Sequence, residues 1–493
     1  QYFARGKYNV TIDTTVTPVE DNRVKIDIKI SEGLVAKIKQ VNIVGNDAYE
    51  EDELMDEFVS GKPAWWAFLS SKDEYAKPKL SSDLETLRAH YLDKGYLNFD
   101  ISSTQVTITP DKKDIYITIN IDEGDQYTID KTNLKGDLVF PEEDLMALVQ
   151  TNTGDIFSRA ELTASTTALK DKLGEKGYAF ADVGIVPSLD RDNKTVSLDY
   201  VIKPGKQVYV RRIVFHGNSK TDDEVFRREM RQLEGGWYSS PKIKRSKIRL
   251  QRLPYVEPVD IKTTRVPGVN DQVDLDVSVS ERVAGSFSAT AGFSQSQGLL
   301  LALAINEDNF FVTGKRLSLN FNNSQVNTVY SISYTNPYYT VDGVSRGISA
   351  FYRETDAGEN NTADFVADRY GLGVNYGIPL TEYDRFRLNL GFENTRIKTT
   401  DETPIEISNF LDRNGDEYDE FVLSATYSHD TRNRTVFAEK GNLQVLSLEA
   451  AIPGSDLEYW KINYRNTVLL PLAKWLTLSL KGDVAYGESY GDS

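Results

Sequence analysis

The sequence predicts an α+β series of tandem repeats, each β-α-α-β-β, followed by an antiparallel transmembrane β-barrel of which about eleven strands are present. Three observations predict it. One event recurs along the first half, where an amphipathic helix ends in Lys94-Gly95-Tyr96, Lys176-Gly177-Tyr178 or Leu253-Pro254-Tyr255 and alternating strands follow. From Gly285 onward the helical stripes vanish, and long strands place Gly, Ser, Thr and Asn on one face and large apolar residues on the other. The connections between those strands alternate between two kinds, short turns and longer loops.

Local signals justify each repeat element. Every unit opens on a short strand closed by a turn, in Val41-Asn42-Ile43-Val44-Gly45-Asn46, Leu134-Lys135-Gly136-Asp137 and Ile213-Val214-Phe215-His216-Gly217-Asn218. Glycine with Asn or Asp suits such a turn because both tolerate positive φ. Two helices follow. Pro141 marks a helix start with Leu145, Leu148 and Val149 on one face, and Thr221-x-x-Glu224 reads as a capping box ahead of Phe226, Met230 and Leu233. The second helices carry Ser82-x-x-Glu85 with Leu80, Leu84, Leu87 and Tyr91, and Ser158-x-x-Glu161 with Leu162, Leu169 and Leu173, which are core stripes. Two strands close each unit, as at 103–109 and 115–121, where Ile115, Ile117, Ile119 and Ile121 alternate with polar neighbours. Gly95, Gly177 and Pro254 lie 82 and 77 residues apart, a period that fits consecutive small domains. The units fall at 35–125, 126–205 and 206–283, and residues 1–34 hold only the closing strands of an earlier one.

Residues 284–493 read as the N-terminal part of the barrel. Phe287, Ala289, Ala291 and Phe293 alternate with Ser286, Ser288, Thr290 and Gly292, and Phe386, Leu388, Leu390 and Phe392 alternate with Arg387, Asn389, Gly391 and Glu393. Such strands suit lipid on one side and a hydrated lumen on the other. The short turns are 306–314, 336–343, 379–384, 429–441 and 471–474, and the longer loops include 357–364 and the acidic 398–420. Tyr334, Tyr338 and Tyr339 fall where a periplasmic aromatic girdle belongs. An odd strand count leaves an edge unpaired in lipid, so the chain is expected to be part of a longer one.

Composition narrows the function. There is no cysteine, so no disulfide, thiolate metal site or catalytic thiol arises from these residues. His90, His216 and His429 are far apart, and no cofactor motif is present. The net charge of −17 argues against nucleic acid as a partner. No apolar run reaches the ~18 residues of a transmembrane helix. No nucleophile, base and orienting acid recur together, so an enzyme is not expected and function must lie in surfaces. Asp412-Arg413-Asn414-Gly415-Asp416 has its glycine too early for a calcium loop and reads as an acidic extracellular turn. Trp65-Trp66 reads equally as a contact patch or as domain core.

Several segments carry a family resemblance. They are Glu123-Gly124-Asp125-Gln126-Tyr127, Arg227-Arg228-Glu229-Met230-Arg231-Gln232, Glu234-Gly235-Gly236-Trp237, Thr335-Asn336-Pro337-Tyr338-Tyr339-Thr340-Val341-Asp342-Gly343-Val344 and Ile452-Pro453-Gly454-Ser455-Asp456. With the repeat order they resemble the outer-membrane insertase superfamily, which places POTRA domains before a β-barrel. The resemblance implies three POTRA domains plus a remnant, with the repeats in the periplasm. It also implies unfolded outer-membrane proteins as clients, a periplasmic chaperone, outer-membrane lipid, and the assembly lipoproteins BamB, BamC, BamD and BamE as partners. A porin or an outer-membrane phospholipase, the readings from other classes, leaves the repeats without a role.

Site expectations combine residues with that resemblance. The first barrel strand, with Gly285, Phe287, Ala289, Ala291, Gly292 and Phe293, is poor in packing residues and is expected to unpair readily; the resemblance makes it the client template. POTRA sheets have open edges that can accept an extended strand. From Lys206 to Arg252, thirteen Lys/Arg stand against five Asp/Glu, a local +8. Within that run Lys242, Lys244, Arg245, Lys247, Arg249 and Arg252 form an expected membrane-proximal basic face. By resemblance, Arg227, Arg228, Glu229 and Arg231 dock the lipoprotein BamD, and BamB uses the hinge and sheet edge of the earlier units.

Overall fold

The structure, a computed structural model, describes residues 2, 5–8, 10–19, 23–33, 35–61, 73–294, 298–356, 365–399, 403–434, 437–473 and 476–490. Trp65-Trp66 and the loop 357–364 lie outside the described residues. The chain divides into two compact units, one of Gln1–Arg211, Glu234–Pro241 and Arg265–Val273, the other of Arg212–Leu233, Lys242–Thr264 and Asp274–Ser493.

β1 (Thr11–Val19) and β2 (Arg23–Ser31) pair as an antiparallel hairpin. Three repeats follow. The first is β3 (Lys37–Val44), α1 (Glu51–Asp56), α2 (Lys77–Asp93), β4 (Asp100–Ile108) and β5 (Asp114–Asp122). The second is β6 (Thr128–Gly136), α3 (Glu142–Met146), α4 (Arg159–Glu175), β7 (Asp182–Asp190) and β8 (Thr195–Lys203). The third is β9 (Tyr209–His216), α5 (Asp223–Arg227), α6 (Ser240–Gln251), β10 (Val256–Arg265) and β11 (Gln272–Glu281).

Each repeat sheet places its last strand in the middle, in the orders β3-β5-β4, β6-β8-β7 and β10-β11-β9. The middle strand is parallel to the first and antiparallel to the second in the first two repeats. Alternation explains the choice. Ile115, Ile117, Ile119 and Ile121 on β5, and Val196, Leu198, Tyr200 and Ile202 on β8, are all buried, and a strand with so apolar a face is most stable between two neighbours. The helix stripes close the same cores, with Leu80, Leu87 and Tyr91 buried in one and Leu169 and Leu173 in the next.

The turn after each first strand needs glycine for a tertiary reason. Gly45, Gly136 and Gly217 have φ of 97°, 95° and 86°, and a Cβ there would stand 2.4, 2.2 and 2.1 Å from the carbonyl oxygens of Ile121, Ile202 and Val279 on the middle strands. Positive φ and close approach therefore act together.

Some helix starts differ from expectation. Ser158 does cap α4, accepting from the Glu161 N–H at 3.3 Å. α2, however, starts at Lys77 with Pro78 in its first turn, which leaves Ser82 inside the helix. The capping box at Thr221 does not form. α5 begins after Asp222, and the Thr221 hydroxyl accepts from Asn309 Nδ2 at 2.8 Å. α5 ends within two turns, so Leu233 falls beyond its stripe and is exposed, whereas Phe226 and Met230 are buried.

The remaining chain forms one antiparallel sheet of eleven strands in sequence order: β12 (Gly285–Ser294), β13 (Gly298–Phe310), β14 (Lys315–Asn323), β15 (Asn327–Asn336), β16 (Ser345–Asp356), β17 (Phe365–Pro379), β18 (Asp384–Thr399), β19 (Glu417–Asp430), β20 (Gly441–Ala451), β21 (Tyr459–Ala473) and β22 (Leu476–Ser489). The register aligns the apolar faces across strands, as in Leu303 beside Phe321 beside Tyr330 beside Tyr352 beside Tyr370. The opposite face is polar, with Arg369 and Glu393 3.6 Å apart and Lys461 and Glu449 3.5 Å apart. The acidic connection before β19 contains a helix, α7 (Ile405–Asn414), that was not expected. Pro404 precedes it, Phe410 packs on buried Tyr418, and Gly415 ends it at φ 88°, so residues 412–416 are a helix end and not a free turn.

Candidate functional site

Three surfaces hold the residues singled out in the sequence. The first is β12. It pairs with β13 from Gly285 opposite Glu307 to Ser294 opposite Gly298, and it is an outer strand of the sheet. Phe287, Ala289, Ala291 and Phe293 lie on the apolar face and are exposed. Gly292 has nothing within 4 Å of where a Cβ would stand, whereas a Cβ on Gly285 would meet the Glu307 carboxylate at 2.5 Å. Along its second hydrogen-bonding edge β12 pairs with none of the described strands.

The second surface is the set of repeat-sheet edges. The first strand of each repeat is partly covered by its own chain. Ile38, Ile129 and Val210 donate to the carbonyls of Asp73, Asp155 and Gly236 at 2.7, 2.8 and 2.9 Å, just before the second helix. The second strand forms the other edge. β7 carries Pro187 and β10 carries Pro258, which remove donors, whereas β4 has no proline.

The third surface is an arginine cluster around the 379–384 turn. Arg231 Nε donates to Glu382 Oε1 at 2.6 Å, Arg245 Nη2 reaches Oε2 at 2.6 Å and the Glu382 carbonyl at 3.2 Å, and Arg249 Nη1 lies 3.5 Å from Oε2. Arg249 Nη2 also donates to Glu229 and to the Tyr338 hydroxyl, each at 2.7 Å. Tyr338 in turn donates to the Arg228 carbonyl at 3.2 Å, with the Arg228 guanidinium 4.6 Å from its ring centre. Burial alone would raise the Glu382 carboxyl; hydrogen bonds from Arg231 and Arg245, and then their charges, override it and lower its pKa to about 2. For Arg249 burial opposes the charge, but Glu229, Tyr338 and Glu382 outweigh it and the net shift is upward.

The cluster brings together residues that the sequence assigned to three different roles. Glu229 is buried and paired with Arg249, so it is not presented at the surface. Arg227 is exposed and pairs with Asp223 one turn back. Of the basic face, Arg245 and Arg249 are engaged with Glu382, Lys247 lies 3.6 Å from Asp260, and Lys242, Lys244 and Arg252 are exposed. Of the three tyrosines, Tyr338 turns into the cluster, Tyr334 stays on the apolar face beside Ile348, and Tyr339 meets Tyr376 edge-on at 6.3 Å. Glu382 itself escaped the sequence reading, because it lies in a short turn 151 residues from Arg231, and no local pattern names so distant a partner.

Two family models match the chain. A model of the Omp85 superfamily domain covers 309–493, and a POTRA model, described as a surface antigen variable number repeat, covers 36–124, 127–205 and 208–282. The chain belongs to the Omp85 superfamily. Its Omp85 relatives include the outer membrane protein assembly factor BamA of Neisseria meningitidis serogroup B, 33% identical over all of this chain and 63% of that protein. BamA of Buchnera aphidicola is 28% identical over 77% of this chain and 61% of that protein. The chain thus spans less than two thirds of the length of these relatives. Among solved structures, BamA from Haemophilus ducreyi lacking POTRA domains 1–3 matches with a TM-score of 0.56 and 29% identity, over 74% of this chain and 71% of that one. As in other Omp85 proteins of this kind, the eleven-strand sheet belongs to the outer membrane and the POTRA repeats to the periplasm.

Proposed function

We propose that this chain assembles β-barrel proteins into the bacterial outer membrane; its BamA relatives are named outer membrane protein assembly factors. The reading rests above all on β12, the first strand of the membrane sheet, whose small residues Gly285, Ser286, Ser288, Ala289, Ala291 and Gly292 leave the edge it does not share with β13 little side-chain bulk to protect it. An unfolded client strand added to that edge satisfies its own backbone in lipid, where each unpaired N–H or C=O costs several kcal/mol. Templating therefore requires no chemical step, and the activity is not enzymatic. The POTRA edges hold extended clients on the way by the same backbone pairing, β4 foremost because it has no proline.

We assign BamD docking to residues 227–232, with Arg227 and Arg231 at the surface and Glu229 acting from behind through Arg249. BamB is assigned to the hinge and sheet edge of the earlier repeats. BamC, BamE and a periplasmic chaperone complete the set of proposed partners. Photo-crosslinkers placed in cells at 286–293 should capture an unfolded barrel precursor, with a folded porin as the control. Capture no stronger than that from a central strand such as β15 would remove the templating role.

A further inference from the structure

The five connections on the side of the sheet that carries Glu382 share a property. Each exposes a large apolar side chain, Phe311 at 77%, Val341 at 97%, Leu380 at 57%, Phe437 at 89% and Leu472 at 61%. The described residues of the opposite connections do not share it. Among their described residues only Ile405 is comparably apolar and exposed, and Val326 is buried. Scattered exposed leucines need no explanation, but one in every turn of one rim, against one in all the described residues of the other, is a patterned surface.

The backbone adds an independent observation. Phe311 and Phe437 have φ of 52° and 51°, a left-handed conformation that ordinarily takes glycine or asparagine and costs an aromatic residue about 1–2 kcal/mol. Packing recovers little of that: Phe311 meets the ring of its neighbour Phe310, 4.3 Å between centroids, yet stays 77% exposed, and Phe437 is 89% exposed. The Val312 carbonyl beside Phe311 accepts from the Asp222 N–H at 3.1 Å, which holds the turn backbone and not the Phe311 side chain.

Position identifies the occupant. Leu380 continues the alternation Leu372, Val374, Tyr376 and Ile378 past the end of β17 and so extends the lipid-facing surface, while Leu472 stands at the bulge that ends β21, exposed beyond Leu470. The Val341 turn carries Tyr339, whose ring meets Tyr376 of that surface and lies under the Arg346 guanidinium at 3.9 Å, an aromatic and cation pairing suited to a membrane boundary.

We propose that Phe311, Val341, Leu380, Phe437 and Leu472 form an apolar rim that seats this side of the sheet in the headgroup–acyl boundary of the phospholipid leaflet facing the periplasm. The rim fixes the depth of the turns and, through the β13–β14 turn, of the first hairpin, β12 and β13. The proposal rests on the membrane reading of the sheet and not on client assembly, so the two can fail separately.

These 493 residues hold no cysteine, and any cysteine elsewhere in the full-length protein would first be replaced by serine so that each label is single. Spin labels would be placed on cysteines replacing each rim residue in the full-length protein, reconstituted in phosphatidylethanolamine–phosphatidylglycerol vesicles. Gln325→Cys on the opposite side and Asp260→Cys in the third repeat serve as aqueous references. Accessibility to oxygen against a water-soluble nickel complex should place the rim labels about 5–10 Å inside the boundary, the depth usual for interfacial apolar groups, and both references in water. Rim labels as open to nickel as Asp260→Cys would overturn the proposal. So would rim labels that leave water only when an unfolded barrel precursor is added, because the rim would then be a client surface.

Discussion

At the scale of single residues, two glycines with nearly the same backbone make different demands. Gly136 has φ 95° and no room for a Cβ beside the Ile202 carbonyl, whereas Gly154 has φ 91° and open space around it. Gly154→Ala should therefore cost about 1 kcal/mol of conformational strain, and Gly136→Ala about 2 kcal/mol or more, because β6 must also move away from β8. Urea unfolding read by hydrogen exchange in β8 separates the two; equal losses would show that φ alone matters. Turn glycines were legible from Gly-Asn and Gly-Asp neighbours, but the carbonyl that excludes a side chain was not. Thr221 shows the same limit from the other side. Its spacing to Glu224 satisfies a capping box, yet its hydroxyl is bound to Asn309, a partner no local pattern contains.

At the scale of elements, the β-α-α-β-β order, the membrane strands and the core stripes apart from exposed Leu233 were legible, because each depends on a period of 2 or 3.6 residues along the chain. Which strand takes the middle of each sheet was not stated by pattern alone; it follows from the fully apolar faces of β5, β8 and β11, which need cover on both sides. This order makes β4 an edge and defines a prediction. Gln105 and Val106 point their N–H groups to opposite sides of β4, one toward β5 and one outward. Of Gln105→Pro and Val106→Pro, one should lower crosslinking to unfolded clients several-fold with little change in thermal stability, and the other should destabilise the first repeat by about 3 kcal/mol or more. If neither lowers capture, β4 is not a client edge. The helix α7 was missed because the acidic residues of 398–420 masked the apolar spacing of Ile405, Ile407, Phe410 and Leu411.

At the scale of the whole molecule, the charge distribution carries the main consequence. A chain of net charge −17 gathers a local +8 between residues 206 and 252, and part of that excess is neutralised within the protein by Glu382. The Glu382 carboxyl falls from its ordinary value of 4.5 to about 2, so the stabilisation it supplies is complete above pH 4.5 and is lost as the pH drops toward 2. Its side chain is about a third exposed, so solvent screening reduces the effect to about 1–2 kcal/mol. Labels at Lys242→Cys and Thr381→Cys should report a narrow distance distribution at neutral pH that broadens on acidification across that window. Glu382→Gln should broaden it at neutral pH and remove the acid dependence. An unchanged distribution in Glu382→Gln would mean that packing around Tyr338, not the ion cluster, holds the turn.

The sequence by itself determined the repeat count, the change from repeats to membrane strands and the residues of the apolar faces, since these are written in spacing along the chain. Only the tertiary structure decided that Glu229 is buried against Arg249, that Tyr338 belongs to the arginine cluster and that five separate turns present one apolar rim. Each of those depends on residues brought together from distant positions, where charge pairing and exposure are set by neighbours that local pattern does not name.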